Sequence, residues 1–427
     1  MEHLLHYVWK HKLFPLKVLQ TTNGLPVEVI DPGLQNPNAG PDFFNAKLKI
    51  NGILWVGNIE IHAHASDWFR HGHDSDKVYD SVILHVVGEA DGEITRTNGE
   101  VIPQLQLTCP EHIRAHYHEL CVADQYPACY PVLASLPKLT VHSWLTALQT
   151  ERLEQKARLI TQRLEHCNNN WEDAFFITLA RNFGFGLNGD AFETWAGLLP
   201  LRAVDKHRND LFQIEALFYG LAGLFEDTFL KKEQEDEYSL RLCKEFRYLQ
   251  RKFEFTRVMD ATLWRFLRLR PENFPHIRLA QLAYLYQKGD KLFSRLLEAE
   301  TLSEVRELLT TRTSAYWESH YLFGQTSPHK EKTLGERSKN LIIINTVTPF
   351  LYTYGLHKAD ERMCERAGRF LEELKAEDNH ITRAWGNAGL PVATAADSQA
   401  LIQLRKEYCD KRKCLFCRFG YEYLRHE

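Results

Sequence analysis

The stretch Phe43-Phe44-Asn45-Ala46-Lys47-Leu48-Lys49-Ile50-Asn51-Gly52-Ile53-Leu54-Trp55-Val56-Gly57-Asn58-Ile59-Glu60-Ile61-His62 decides the fold of the N-terminal part of the chain. Asn-Gly between two alternating runs is a strong hairpin signal, because both positions of a two-residue turn want positive φ. A two-residue turn sets Ile50 opposite Ile53, Leu48 opposite Trp55, Ala46 opposite Gly57 and Phe44 opposite Ile59, which gives both strands one consistent apolar face.

Around this hairpin the pattern stays strand-like from about Pro26 to Leu107. Short β-branched and aromatic runs are punctuated by Gly, Asn and Pro, with further strands expected at Ser81 to Val87 and Val101 to Leu107. Met1 to Leu13 reads as a helix leading in. From about Leu136 the text changes to long helical stretches such as Val141 to Leu164 and Leu211 to Phe225. The expected class is α+β: an N-terminal, mostly antiparallel β domain over 1–132, then a large all-α region over 133–427, in one or two lobes. A chain of 427 residues exceeds one ordinary core, and 44% hydrophobic with 25% charged residues is globular composition.

The net charge of −4 speaks against a globally basic nucleic-acid binder and leaves room for a local patch. The start Met1-Glu2-His3-Leu4-Leu5-His6-Tyr7 lacks the cationic and apolar regions of a secretory signal, and no run approaches a membrane span. The expectation is a cytoplasmic protein with no membrane contact, its nine cysteines reduced or bound to metal.

Chemistry concentrates at the hairpin and its exit. Asp42, Glu60, His62, His64, Asp67, His71, His73 and Asp74 lie within a short span, and carboxylates with neutral imidazoles are the usual ligands of divalent ions. Pro41-Asp42 followed by Glu60-Ile61-His62 resembles the Pro-Asp…Glu-x-Lys signature of restriction-endonuclease-like enzymes, with His62 in place of the lysine. That resemblance implies Mg²⁺, Mn²⁺ or Zn²⁺ on Asp42 and Glu60, and His62 as base or third ligand. The register stands against it. Asp42 shares the face of Phe44, whereas Glu60 and His62 share the opposite face with Asn58 and Asn45. The two acids converge only through a bulge, for which Gly57-Asn58 is the natural place. The segment Phe69 to Asp80 is also barely long enough for the helix that such a core wants. An alternative set, His62, His64, His71, His73 and Asp67 or Asp74 with His85 behind them, matches the His-x-His geometry of cupin-type sites. The plainer reading makes His85 a core histidine, Asp42 a turn cap and 71–74 a polar loop.

A second constellation is Cys409-x4-Cys414-x2-Cys417, whose spacing suits zinc or an iron–sulfur cluster; Cys121, Cys129 and Cys364 are the candidates for a fourth ligand. Here the plainer reading is three partly buried thiols. Between the two sites, Arg241 to Lys291 holds twelve Lys or Arg against five Asp or Glu, interleaved with Phe246, Tyr248, Phe253, Phe255, Trp264 and Phe266. Arg251, Arg268 and Arg270 are its candidate backbone contacts for nucleic acid, against an amphipathic helix pair with a solvated face. Pro271 and Pro275 are expected to stop helices on either side of a rigid loop. Phosphate-binding, dinucleotide-binding and nucleophile-elbow glycine motifs are absent from the sequence, which disfavours nucleotide-driven motors and serine hydrolases.

The whole chain resembles a bacterial domain-of-unknown-function family, number 2851. The resemblance rests on Leu4-Leu5-His6-Tyr7-Val8-Trp9-Lys10, on Asn36-Pro37-Asn38-Ala39-Gly40-Pro41-Asp42-Phe43-Phe44-Asn45-Ala46 and on Trp55-Val56-Gly57-Asn58-Ile59-Glu60-Ile61-His62. It continues through Asp67-Trp68, Gly184-Phe185-Gly186-Leu187-Asn188, Arg270-Pro271-Glu272-Asn273-Phe274-Pro275 and the C-terminal cysteines. It implies no activity. The leading expectation from the residues is a metal-dependent, nuclease-like phosphodiester hydrolase using Asp42, Glu60 and His62, with Asn45 and Asn58 at its edge. The rivals are a non-catalytic nucleic-acid or protein-binding scaffold and a cupin-like enzyme on a small molecule.

Overall fold

A computed structural model describes residues 2–14, 18–226, 235–288 and 291–426. The chain divides into two compact units. The first is Met1–Lys138 with Ala384–Leu390 and Arg405–Glu427, and the second is Leu139–Arg383 with Pro391–Leu404. The cysteine-bearing end of the chain thus belongs to the unit that holds the sheet.

The first unit is built on seven strands: β1 (Leu19–Gln20), β2 (Pro26–Asp31), β3 (Leu34–Gln35), β4 (Phe43–Ile50), β5 (Ile53–His64), β6 (Val82–Glu89) and β7 (Gln104–Gln106). Their order is β1-β2-β4-β5-β6-β7, with β3 beside the end of β4. Pairing is antiparallel from β1 through β5, and parallel for β5–β6 and β6–β7. Parallel neighbours need a crossover. Between β5 and β6 it consists only of helix α2 (Asp67–Arg70) and a 3₁₀ turn at Lys77–Ser81, so the room after Glu60 is as tight as the sequence suggests. Helix α1 (Glu2–Lys10) buries Leu5, Val8 and Trp9 in a core with Phe43, Ala46, Leu48, Ile59, Ile61 and Leu84.

At the hairpin, Asn51 and Gly52 have φ of 48° and 79°, and Ile50 faces Ile53, Leu48 faces Trp55 and Ala46 faces Gly57 as expected. Beyond that the register departs from expectation, for Phe43, not Phe44, faces Ile59. The bulge lies in β4 at Phe44–Asn45, opposite Asn58, and not in β5 at Gly57-Asn58. Asn45 takes φ of 56°, and its N–H is accepted by the Asn58 side chain at 3.2 Å. Gly57 serves a different need. A Cβ there would lie 2.3 Å from Cγ2 of Ile83, so glycine lets β6 close on β5. The apolar face is also interrupted: Ile50 and Leu48 are buried, but Ile53 and Trp55 are exposed, since β6 pairs with β5 only from Asn58 onward.

The second unit is helical, from the long Lys138–His166 helix through Leu211–Leu221 and Glu237–Lys252 to Pro275–Lys288. Pro275 starts this last helix instead of stopping one, a role its fixed φ and missing N–H suit. Among the described residues, no helix is long and apolar enough to cross a membrane.

Candidate metal centre on the β5 strand

The β4 bulge settles the register objection. It turns Asp42 toward β5, where the Asp42 N–H donates to Glu60 Oε2 at 3.1 Å and Asp42 Oδ2 accepts the Ile61 N–H at 2.9 Å. The two acids meet. Burial first, and the charge of Glu60 second, push the Asp42 carboxyl up to about 8.

Strand alternation aims Glu60 and His62 to the same side. After β5, Asp67 accepts the His64 N–H, and the α2 turn brings the chain back so that His73 N–H bonds Trp68 O. The return places His71 and His73 over His62. Nitrogens of His62, His71 and His73 lie within 4.8 Å of one another. Glu60 Oε1 is 3.6 Å from His62 Nε2 and 3.3 Å from His73 Nε2, and His71 Nδ1 is 3.1 Å from His62 Nε2. Ligands about 2.1 Å from a tetrahedral ion stand roughly 3.4 Å apart, so these separations fit one divalent cation.

Behind the cluster, His62 Nδ1 is 2.8 Å from His85 Nε2. A proton on Nδ1 directed at His85 leaves the Nε2 lone pair of His62 pointing at Glu60 and His71, the tautomer that a metal ligand needs. Burial, then His73 and His71, hold His62 down to about 3, and burial keeps His85 well below its usual value. His62 and His85 are neutral at pH 7. Tyr79 stacks on His73 with centroids 3.7 Å apart, and the Trp68 ring edges toward both His73 and His85. His71 is exposed while Glu60, His62 and His73 are buried, so the cluster opens on one side.

The other expected residues are distributed as follows. His64 turns outward to Glu89 at 3.4 Å, away from the cluster, because it lies beyond the point where β5 leaves the core. Asn45 and Asn58 shape the bulge, and Asn58 also donates to Ser81 Oγ at 2.9 Å. Arg251, Arg268 and Arg270 are exposed residues of the second unit. Of the aromatics interleaved with them, Phe246 and Trp264 are core, and Tyr248 is exposed. Cys409, Cys414 and Cys417 come together with Cys129 around one cavity.

One participant escaped the sequence reading. His6 of α1 reaches Asp42 Oδ2 at 3.4 Å, and burial lowers its imidazole to about 4. The available signal was a lone polar residue within the apolar run Leu4 to Trp9.

No curated protein and no solved structure matches the chain. A family profile described as "Protein of unknown function (DUF2851)" matches residues 2–380, which include all of the first unit's sheet and most of the second unit. The chain, whose N-terminal sheet gathers Asp42, Glu60 and three histidines, belongs to that family of proteins of unknown function.

Proposed function

We infer that the first unit is a metal-dependent hydrolase, with phosphodiesters as its substrate class. The observation that carries this is the joint placement of His62, His71 and His73 at ligand spacing, with Glu60 against two of them and Asp42 beside Glu60, on a cluster open to solvent at His71. Structural metal sites are closed, whereas catalytic ones keep a position for substrate or water. A divalent ion there would polarise a phosphoryl oxygen and acidify water.

The chain's own residues divide the remaining work. His62, His71 and His73 would hold the cation and leave its remaining position open, with Glu60 Oε1 standing against His62 and His73, and His85 fixes the His62 tautomer. Asp42 carries a proton at neutral pH, since its carboxyl titrates near 8. A cation held by the imidazoles would favour the ionised Asp42 carboxyl, which would then serve beside Glu60 as general base. The order Pro41-Asp42 just before β4, then Glu60 and His62 on β5, resembles the signature of phosphodiester-cleaving enzymes and favours that substrate class over a neutral small molecule.

The test combines elemental analysis with a nuclease assay on single-stranded and duplex DNA in Mn²⁺, Mg²⁺ or Zn²⁺. Wild-type protein is expected to cleave with one ion per sheet site, and binding is expected to tighten as pH rises from 6 to 8 with release of a proton. Cleavage without added or bound metal, or an ion that stays after His62→Ala, overturns the reading. A protein that takes up metal but cleaves nothing would leave the scaffold as the better account.

A further inference from the structure

The first unit holds a second cluster of ligating side chains, remote in sequence from the histidines. A cavity of about 250 Å³ is lined by Cys129, Cys409, Cys414 and Cys417, together with Tyr126, Trp385, Arg405, Arg412 and Gly420. None of these four cysteines is in a disulfide. Cys129 and Cys417 are buried, and Cys409 and Cys414 are half-buried.

Three local devices hold the four thiols. Cys409 ends a π-helical turn, Leu404–Cys409. Cys414 and Cys417 bracket a 3₁₀ turn in which Cys417 N–H bonds Cys414 O at 3.2 Å. Cys129 comes from the other end of the unit, ahead of the short helix Tyr130–Leu133. Gly420 lets the last helix, Arg418–Arg425, approach this turn, because a Cβ there would lie 2.2 Å from Cys414 O.

Four thiols around a void call for a thiophilic occupant, and spacing selects which. A single zinc with bonds of about 2.3 Å draws its sulfurs to roughly 3.8 Å of one another. Among the described residues, the group whose ligand atoms all lie within 4.8 Å is His62, His71 and His73 and not the cysteines. The sulfurs are too widely spread for one ion, and there is space between them. We propose that Cys129, Cys409, Cys414 and Cys417 bind a [4Fe–4S] cluster in this cavity.

The surroundings agree with such an occupant. The four-thiolate cluster in its oxidised form bears a net negative charge, and Arg405 and Arg412 line the same wall, with Asp410 as an opposing charge. Arg405 lies flat over Tyr126, 3.8 Å from the ring centroid, and Arg412 is tied to Leu120 O at 3.0 Å. Tyr126 and Trp385 shield the apolar side. Uptake of a cluster preformed on four exchangeable thiolate ligands breaks those four Fe–S bonds and four protein S–H bonds, forms four Fe–S bonds to the cysteines, and passes the four protons to the departing thiolates. Cys121 approaches Cys414 without lining the cavity, and Cys364 lies in the second unit beside Tyr352 O.

The experiment uses the full chain, purified anaerobically without a tag or chelator. About four iron and four sulfide per chain, with a broad visible band and a low-temperature EPR signal on reduction, are expected. Cys129→Ser should remove most of the iron, whereas Cys121→Ser and Cys364→Ser should retain it. Arg405→Gln should keep the iron but lower the reduction potential, because a cation near the cluster favours the added electron. If Cys129→Ser does not fold, the iron-to-sulfide ratio and EPR signal of the wild-type protein still decide. Stoichiometric zinc without sulfide, no metal after reconstitution with iron and sulfide, or equal iron loss from Cys121→Ser and Cys129→Ser would each overturn the proposal. Iron that persists in Glu60→Gln separates this site from the sheet site.

Discussion

Both units bury acids and histidines, and they handle them differently. In the second unit Glu215 is buried on the Leu211–Leu221 helix, and burial pushes it up to about 7, yet the Tyr238 hydroxyl donates to it. Tyr316 likewise donates to Asp236, the Tyr219 hydroxyl donates to His276 O at 2.8 Å, and the Tyr238 and Tyr316 rings stack at 4.0 Å. Each acceptor has a phenol. In the first unit Glu60 Oε1 faces the nitrogens of His62 and His73, and imidazole faces imidazole. There one lone pair of each imidazole is left over once its N–H is placed, and the carboxylate of Glu60 adds another. A buried network supplied with its own donors holds a fold together, whereas lone pairs converging on one point suit a cation.

The sharpest way to break this contrast is to neutralise one acid in each unit. Glu60→Gln should cost at least about 10²-fold in metal-dependent turnover, while Glu215→Gln should leave turnover and metal content at wild-type levels. Equal losses in the two variants would show that the sheet cluster is as structural as the aromatic one.

Next in size are two glycines that admit a close neighbour. A Cβ on Gly57 meets Ile83 at 2.3 Å, and one on Gly220 meets the Phe246 ring at 2.1 Å. Each alanine variant should lose about 2–3 kcal/mol by overpacking, read from urea denaturation. Only Gly57→Ala should also weaken metal uptake, because it shifts β5 against β6. Uptake that is unchanged in Gly57→Ala would detach the site from the sheet register.

A pH comparison follows. Burial holds His62 and His276 down to about 3. Their unfolded forms gain a proton near 6.5 and the folded forms do not, so stability is full above about 6.5 and is lost as pH falls from there toward 3. Melting at pH 7 and pH 5 should show this for both units, and added Mn²⁺ or Zn²⁺ should raise the melting temperature at pH 7 far more than at pH 5. A melting temperature indifferent to the ion at both pH values would count against the centre. The smallest effect belongs to Asn58→Ala, about 1 kcal/mol for the hydrogen bonds to Asn45 and Ser81. A clear fall in metal affinity with so small a cost would tie the bulge to the site.

What the sequence made legible was local. Asn51-Gly52 announces its turn because the backbone angles are intrinsic to those residues. The density of carboxylates and imidazoles from Asp42 to Asp74 likewise marks the centre without any tertiary knowledge. The position of the bulge was hidden, because Asn45 adopts positive φ in response to two partners. One is the Asn58 side chain, and the other is Gly33, whose hydrogen lies where a Cβ would be 2.6 Å from Phe44 O. His6 went unnoticed, and Cys129 could not be singled out from Cys121 and Cys364, for a related reason: each reaches its cluster from a distant part of the chain, and spacing along the chain carries no record of that. Pro275 was misread because a proline that ends one helix and a proline that opens the next look alike in sequence.

The division of the first unit into separate pieces of chain bears on the order of events during synthesis. Cys129 emerges from the ribosome early, and Cys409, Cys414 and Cys417 emerge only after residues 139–383 have been made. Since domains tend to fold as they appear, the helical unit has all of its long helices before its neighbour's last helix exists. The sheet and its histidines can form in that interval, but the cysteine cavity cannot. The nascent protein therefore assembles its histidine cluster and its cysteine cavity in a fixed sequence, and a translational pause late in the message delays only the second.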